Sequence, residues 1–338
     1  MKTVGIIGLG MASAPHAKSL QDLKEHVEVK AAFSPSTERR SAFAEAHGFP
    51  VVDKLDAVLA DPSIDAVLML TPPNTHLDLV RQAVSAGKHV LLEKPLEISF
   101  ERAEELVAIA EKSGKKLGVV LQHRFRPVSA ALAGLVREGR LGDVVSASAR
   151  LYNWRPQSYY DQPGRGTKAR DGGGVLLTQA IHTLDLMISL AGLPVEVTGY
   201  AVTSPVHRME TEDLAMAATK FANGGIGSIS ATTAAYPGIA DAVDIIGTKG
   251  MARIEVAKMM AHFHDGTDKT VDDGALGGGV GADPMAFPHQ HHRAVIEDFL
   301  DAIDGDRDPA VTGREALKVH RLIAAILRSS ETGERVAV

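Results

Sequence analysis

The sequence predicts an α/β protein in two parts: a doubly wound parallel sheet first, then an α/β domain on a large, mostly antiparallel sheet. Three observations carry this. In the first third, short apolar runs (residues 3–7, 27–33, 66–70 and 90–92) alternate with helical stretches, as the buried strands of parallel sheets do. Beyond residue 143, segments alternate small polar and apolar residues at period two, separated by turns such as Asn223-Gly224-Gly225 and Gly247-Thr248-Lys249-Gly250. The chain has 338 residues, enough for two domains, expected at 1–121 and 122–338.

Composition narrows the class. Hydrophobic residues make up 45% and charged residues 23%, ordinary for a water-soluble chain with a sizeable core. The net charge of −6 favours neither nucleic acid nor an anionic membrane, and Arg39-Arg40 is too short for a basic patch. Cysteine is absent, which excludes disulfide scaffolds, thiolate zinc sites and cysteine nucleophiles together. Met1-Lys2-Thr3 leads straight into an apolar strand without a signal-peptide pattern, and no apolar stretch approaches the roughly 20 residues of a membrane helix. A cytoplasmic enzyme or binding protein is expected.

Strand 3–7 runs into Gly8-Leu9-Gly10-Met11-Ala12-Ser13 and a helix to about residue 23, the strand–turn–helix order of a dinucleotide-binding unit. Gly8 permits the tight turn. Gly10, with Met11 and Ala12, lets backbone approach a pyrophosphate at the helix N-terminus. Ser13 replaces the third glycine and is small enough for close packing. Strand 27–33 ends at Ser34-Pro35-Ser36-Thr37-Glu38-Arg39-Arg40, where an NAD-specific protein would place a carboxylate. Ser34, Ser36 and Arg39 suit a 2′-phosphate instead, so NADP is expected over NAD. A plain Ser cap with solvated arginines is the alternative.

Helix 38–47 follows, then strand 66–70, ending at Thr71-Pro72-Pro73-Asn74-Thr75-His76. Thr71, Pro72, Asn74 and His76 are expected near the cofactor, although a helix-start His is often only a cap or a surface residue. After helix 77–86, the apolar run Val90-Leu91-Leu92 ends in Glu93-Lys94-Pro95. Proline restricts the preceding residue to extended backbone, which holds Lys94 straight out of the strand end. Glu93 is expected to hold Lys94 or a ribose. Helix 99–113 and strand 117–121 complete the half, with Gln122 at the last strand end as a further cofactor residue.

In the second half, strands are expected at 143–152, 195–202, 214–221, 226–233, 242–246 and 251–256, with an outer sheet face rich in Ala, Ser and Thr. That face is expected to pack a homodimer or homotetramer. The loop 154–171 crowds Trp154, Arg155, Tyr159, Tyr160, Arg165, Lys168 and Arg170, and aromatic faces beside hydrogen-bonding groups suit a sugar or polyol ring. Trp154, Arg155, Tyr160 and His123 are read as substrate-binding, and Arg165 as cofactor-binding. Gly172 to Gly174 precedes a helix expected to carry Thr178 and His182, at spacing i, i+4, on one face. His289, His291 and His292 lack carboxylate or Cys ligands at helical spacing, so no metal is expected; one of them lining a substrate cleft is the better reading. The glycine-rich segment 274–281 is expected to be a mobile loop.

The ordered series GLGMAS, SPSTERR, TPPNTH and EKP, continued by Arg124-Phe125-Arg126-Pro127, Leu141-Gly142-Asp143-Val144, Tyr159-Tyr160, Arg165-Gly166-Thr167, Gly172-Gly173-Gly174, Gln179-Ala180-Ile181-His182-Thr183-Leu184-Asp185 and Asp298-Phe299-Leu300-Asp301-Ala302-Ile303, resembles the Gfo/Idh/MocA family of NAD(P)-dependent oxidoreductases. The resemblance spans nearly the whole chain. It implies an N-terminal Rossmann domain, a C-terminal α/β domain on an open sheet, and a chain closed by the helix around residues 298–303. It further implies that Lys94 lies beside the nicotinamide and the substrate alcohol, with helix partners at 178 and 182. The usual Asp is Thr178 here; His182 is retained. The implied reaction is hydride transfer between NAD(P)H and a secondary alcohol of a sugar, polyol or sugar derivative, with neutral Lys94 taking the hydroxyl proton and His182 sharing it. Redox-assisted glycoside cleavage and a dinucleotide-sensing regulator are the alternatives; a sensor needs neither Lys94 nor His182.

Overall fold

The computed structural model describes residues 1–274 and 288–338, so most of the glycine-rich segment 274–281 lies outside the described residues. Two compact units emerge: Met1–Gln122 with His289–Leu317, and His123–Pro288 with Lys318–Val338. The second domain, expected at 122–338, is not one unbroken span. Residues 289–317 group instead with the first unit, because the Val119 N–H donates to the Val311 carbonyl at 3.0 Å and Gly118 bridges Thr312 beside it.

The first unit is a six-stranded, wholly parallel sheet: β1 (Lys2–Ile7), β2 (Val27–Phe33), β3 (Val51–Val52), β4 (Ala66–Met69), β5 (His89–Glu93) and β6 (Leu117–Val120). The spatial order β3-β2-β1-β4-β5-β6 reverses between β1 and β4, which opens a crevice at the carboxyl ends of the strands. The apolar runs form strands because both faces are covered: Ile6, Leu68, Leu91 and Leu92 are all fully enclosed. Helices 37–47 and 100–113 begin at Ser36 and Ser99, whose side chains cap the first turn, and both end at left-handed glycines, Gly48 and Gly114.

The second unit is built on nine strands: β7 (Val144–Trp154), β8 (Glu196–Val202), β9 (Leu214–Lys220), β10 (Ile226–Thr232), β11 (Ala234–Gly247), β12 (Gly250–Glu255), β13 (Lys258–Phe263), β14 (Asp268–Asp272) and β15 (Val336–Ala337). Their order is β14-β13-β12-β11-β7-β10-β9-β8-β15; only β7 and β10 pair in parallel. The fold class is as predicted. β13, β14 and β15 were not foreseen, and β11 extends well before residue 242. One face is buried by Ala147, Ala149, Leu151, Val197, Ala215, Ala217 and Ile229, with helix Ile181–Ala191 packed on β7 and β11. The chain closes not with the helix Gln290–Asp304 but with helix Gly313–Thr332 and β15. No single helix among the described residues is long and apolar enough to cross a membrane.

Candidate active site

Each strand end of the parallel sheet contributes one piece of chemistry. Gly8 leaves β1 at φ +103°, and a Cβ there would lie 2.8 Å from the Leu70 carbonyl carbon and oxygen, so glycine is required. Gly10 faces open space where a Cβ would stand. Helix Ser13–Asp22 starts at Ala12 without a side-chain cap, which leaves its first N–H groups without a side-chain acceptor. Open backbone and an uncapped helix N-terminus are what a pyrophosphate fits. Ser13 is buried, and its hydroxyl donates to the Gly10 carbonyl at 2.7 Å, bracing the turn where a third glycine is usual. Met11 is half exposed beside it.

At the end of β2, Ser34 is buried and its Oγ accepts from the Ser36 N–H at 3.3 Å, while Ser36 Oγ accepts from the Arg39 N–H at 3.2 Å. Residues 34–37 bring no carboxylate to this position. The side chain of Arg39 is exposed. Arg40, next to the expected Arg39, is the cation fixed here: it donates to the Ser34 carbonyl at 2.7 Å and to Thr37 Oγ1 at 2.9 Å. Its place one turn after Ser36 was the available signal. After β4, Thr75 Oγ1 donates to Thr71 Oγ1 at 2.8 Å, Pro72 and Asn74 are exposed, and residues 73–75 form a short 3-10 turn. His76 is not a surface residue. It is fully buried, with Nε2 2.9 Å from the Thr71 carbonyl and Nδ1 3.1 Å from the carbonyls of Pro95 and Leu96, so it ties the β4 loop to the β5 loop.

At the end of β5, the carboxylate of Glu93 is enclosed. Oε2 accepts from the backbone N–H of Lys94 at 3.0 Å, and Oε1 lies 2.7 Å from His16 Nε2. Burial alone would push this carboxyl up; the His16 bond and nearby positive charge outweigh it and hold the group below the usual range. Glu93 therefore fixes the backbone from which Lys94 projects. His292 packs edge-on against His16 at 5.1 Å, and burial pushes its ring well below the ordinary value. His16, Glu93 and His292 place ligand atoms within 4.8 Å of one another, the carboxylate that helical spacing did not reveal for His292. The 2.7 Å contact is a hydrogen bond, shorter than the roughly 3.3 Å between two ligands on one tetrahedral zinc. His16 went unnoticed in the sequence because its partners lie 77 and 276 residues away. His289 sits apart, 2.8 Å from Asp22. After β6, Gln122 Oε1 is buried without a hydrogen-bond partner, an acceptor that a carboxamide N–H of a nicotinamide would satisfy.

In the second unit, Arg124 grips Asp185 with Nε–Oδ2 at 2.8 Å and Nη2–Oδ1 at 2.6 Å, docking helix Ile181–Ala191 on the turn Gln122–Phe125. This brings His123 onto His182, rings stacked at 4.8 Å and 28°. Thr178 and His182 do not share one continuous helix. The helix ends at Thr178 and restarts at Ile181, and the run Lys168–Thr178 is bent by 51° from Ile181–Ala191. The Thr178 hydroxyl donates to the Gly174 carbonyl at 2.6 Å, and the start of its short helix is seated by Glu212, which accepts from the N–H groups of Gly174 and Leu176.

The aromatic loop is ordered around a buried His207. Its Nδ1 lies 2.6 Å from Asp213, its Nε2 2.8 Å from the Arg155 carbonyl, and the rings of Trp154 and Tyr160 pack on it. Tyr160 is buried and its hydroxyl bonds Thr233 at 2.7 Å; burial raises its phenol. Arg155 is buried too, donating to the Trp154 carbonyl. Tyr160 and Arg155 thus shape the loop from beneath. Arg165 lies over the Tyr159 ring and donates to its hydroxyl at 2.6 Å.

A glycine turn on an uncapped helix and a lysine at a strand end of the same parallel sheet are the features of a nicotinamide-dependent oxidoreductase. The chain belongs to the Gfo/Idh/MocA family: residues 2–121 match its oxidoreductase model with an NAD-binding Rossmann fold, and residues 129–253 match its C-terminal domain model. Among similar proteins, inositol 2-dehydrogenase of Rhizobium meliloti is 27% identical over 99% of this chain and 98% of its own length. 1,5-anhydro-D-fructose reductase of Ensifer adhaerens is 27% identical, covering 92% and 91%. The WlbA dehydrogenase of Chromobacterium violaceum, solved with NADH and UDP-GlcNAcA, superposes with a TM-score of 0.86 at 27% identity, over 100% of this chain and 96% of that one. Levoglucosan dehydrogenase with NADH and levoglucosan gives 0.87 at 23% identity, over 100% and 99%, a likeness of fold.

Proposed function

We propose that this oxidoreductase moves hydride between NADP(H) and a secondary alcohol of a sugar, polyol or sugar derivative, with Lys94 as the acid/base and His182 as its helper. The observation that carries the reading is the Glu93–Lys94 arrangement. A buried carboxylate pins the lysine backbone at the carboxyl end of β5, the edge where a dinucleotide binds. When bound, the nicotinamide supplies the hydride acceptor or donor. The chain's own residues do the rest. Gly10, Met11 and Ala12 offer backbone to the pyrophosphate, and Gln122 offers its buried carbonyl to the carboxamide. In oxidation the Lys94 amine takes the hydroxyl proton, and His182 shares it. Relatives named for inositol and 1,5-anhydro-D-fructose support the substrate class.

NADP is favoured by the absence of a carboxylate among residues 34–37 and by Arg40, held at the end of β2. A panel of sugars and polyols, read at the reduced-nicotinamide absorbance with both cofactors, tests the reading. Oxidation with NADP at higher kcat/KM than with NAD is expected. Strong preference for NAD overturns the assignment of Arg40 and Ser34. Product formed without net absorbance change would instead mark redox-assisted glycoside cleavage.

We also infer a homo-oligomer formed through the outer sheet face. Tyr200, Val202, Met216, Ile226, Ile246 and Met251 all project from that face and are exposed, a larger apolar surface than the Ala/Ser/Thr face predicted from sequence.

A further inference from the structure

The missing carboxylate at 178 leaves a question of charge. His182 is the second residue of helix Ile181–Ala191, whose N-cap, Ala180, has no side-chain cap. A helix N-terminus disfavours a positive ring, so a His182 that shares a proton needs an opposing charge. Thr178 is neutral and supplies none.

We infer that Asp241 and His123 together do for His182 what a carboxylate at 178 would do, which makes both of them positioning residues. The inference rests on the reading of His182 as a proton-sharing group. Asp241, on β11, accepts from Thr183 Oγ1 at 3.3 Å, one residue on from His182 in the first turn of the helix. The same carboxylate lies 3.8 Å from His123 Nδ1 and 3.8 Å from Arg126 Nη1. Arg126 Nη2 donates to His123 Nε2. A guanidinium has no acceptor, so that nitrogen must accept, and the His123 proton sits on Nδ1, towards Asp241. His123 is thereby a neutral ring, and His182 stacks on its face. A neutral π-face and a carboxylate both favour the charged form of the ring they support.

Arg126 stays charged 3.8 Å from the same carboxylate and offsets part of its field, while the remaining neighbours are paired. Arg124 and Asp185 neutralise each other in a bidentate pair. Arg126 is buried, which lowers its guanidinium from the usual value, and Asp241 and Asp273 oppose that change. During oxidation the substrate O–H bond breaks, the hydride leaves the same carbon for the oxidised nicotinamide, and the proton goes to Lys94 and is shared by His182. Asp241 stabilises His182 while it is charged.

The test is NMR titration of the histidine rings in the full-length protein. In Asp241→Asn, the His182 midpoint is expected to fall by about one unit, and kcat for alcohol oxidation by about tenfold, with cofactor KM unchanged. Asp241→Glu is expected to recover part of both. In the unmodified protein, the His123 and His182 signals are expected to report each other's titration, as coupled sites do. His123→Phe keeps a stacked ring but removes the Nδ1 proton, and is expected to shift the His182 midpoint less than Asp241→Asn. An unchanged His182 midpoint in Asp241→Asn overturns the inference. So does a pair of independent single inflections in the unmodified protein, a readout available even if the variant fails to fold. A protein inert towards every alcohol would sink the functional reading by itself, and the titration would still decide the role of Asp241.

Discussion

At the scale of single residues, Lys94 was legible because proline after an apolar strand is a local signal. What could not be read was how Lys94 is held. Glu93 reaches back to its backbone N–H and forward to His16, on a helix 77 residues earlier in the chain. Lys94→Ala is expected to lower kcat by about 10²–10⁴-fold while cofactor affinity, measured by fluorescence titration, stays nearly unchanged. The same cluster predicts acid sensitivity. Burial takes His292 from its ordinary 6.5 down to about 3. Between those values the unfolded chain binds a proton that the folded one refuses, so stability falls as pH drops through that window. Glu93 acts in the same direction at lower pH: its folded carboxyl is depressed, so its contribution is present above the ordinary 4.5 and is lost as pH falls through the folded value. Thermal melts are expected to show Tm falling from about pH 6.5 downward, and His292→Gln is expected to flatten that slope by about one proton. An unchanged slope would mean that the buried ring is not the source.

At the scale of elements, strands and turns followed their local patterns, and most boundaries fell within a residue or two. Exceptions arose where distant groups intervened. The helix expected to carry Thr178 and His182 breaks at Gln179–Ala180, in a stretch anchored at one end by Glu212 and at the other by the Arg124–Asp185 pair. Asp185 is almost wholly buried, so removing it leaves a guanidinium without its carboxylate. Asp185→Ala is expected to cost about 3–5 kcal/mol in chemical denaturation and to unseat His182 from His123. A loss below about 1 kcal/mol would show that this pair does not hold the helix. In the parallel sheet, Gly8→Ala is expected to abolish cofactor binding, because its Cβ would meet the Leu70 carbonyl. Wild-type affinity in that variant would show that the turn has another route.

At the scale of the whole molecule, the outer face of the nine-stranded sheet predicts association. Tyr200 and Met216 are cross-strand partners near one edge, and both are exposed. The double variant Tyr200→Glu, Met216→Glu is expected to reduce the mass seen by light scattering to that of a smaller species while leaving melting temperature within a few degrees. An unchanged mass would place the interface elsewhere. The sequence by itself determined the two sheets, the glycine turn, the lysine at the strand end and the family, because each is written in contiguous residues or in the order of motifs. Only the tertiary structure decided that His16 and His292 gather on Glu93, that His123 stacks on His182, and that Asp241 bonds the neighbouring Thr183. Those groups are separated by tens to hundreds of residues, and period and propensity carry no information about which distant side chains a fold will bring within hydrogen-bonding reach.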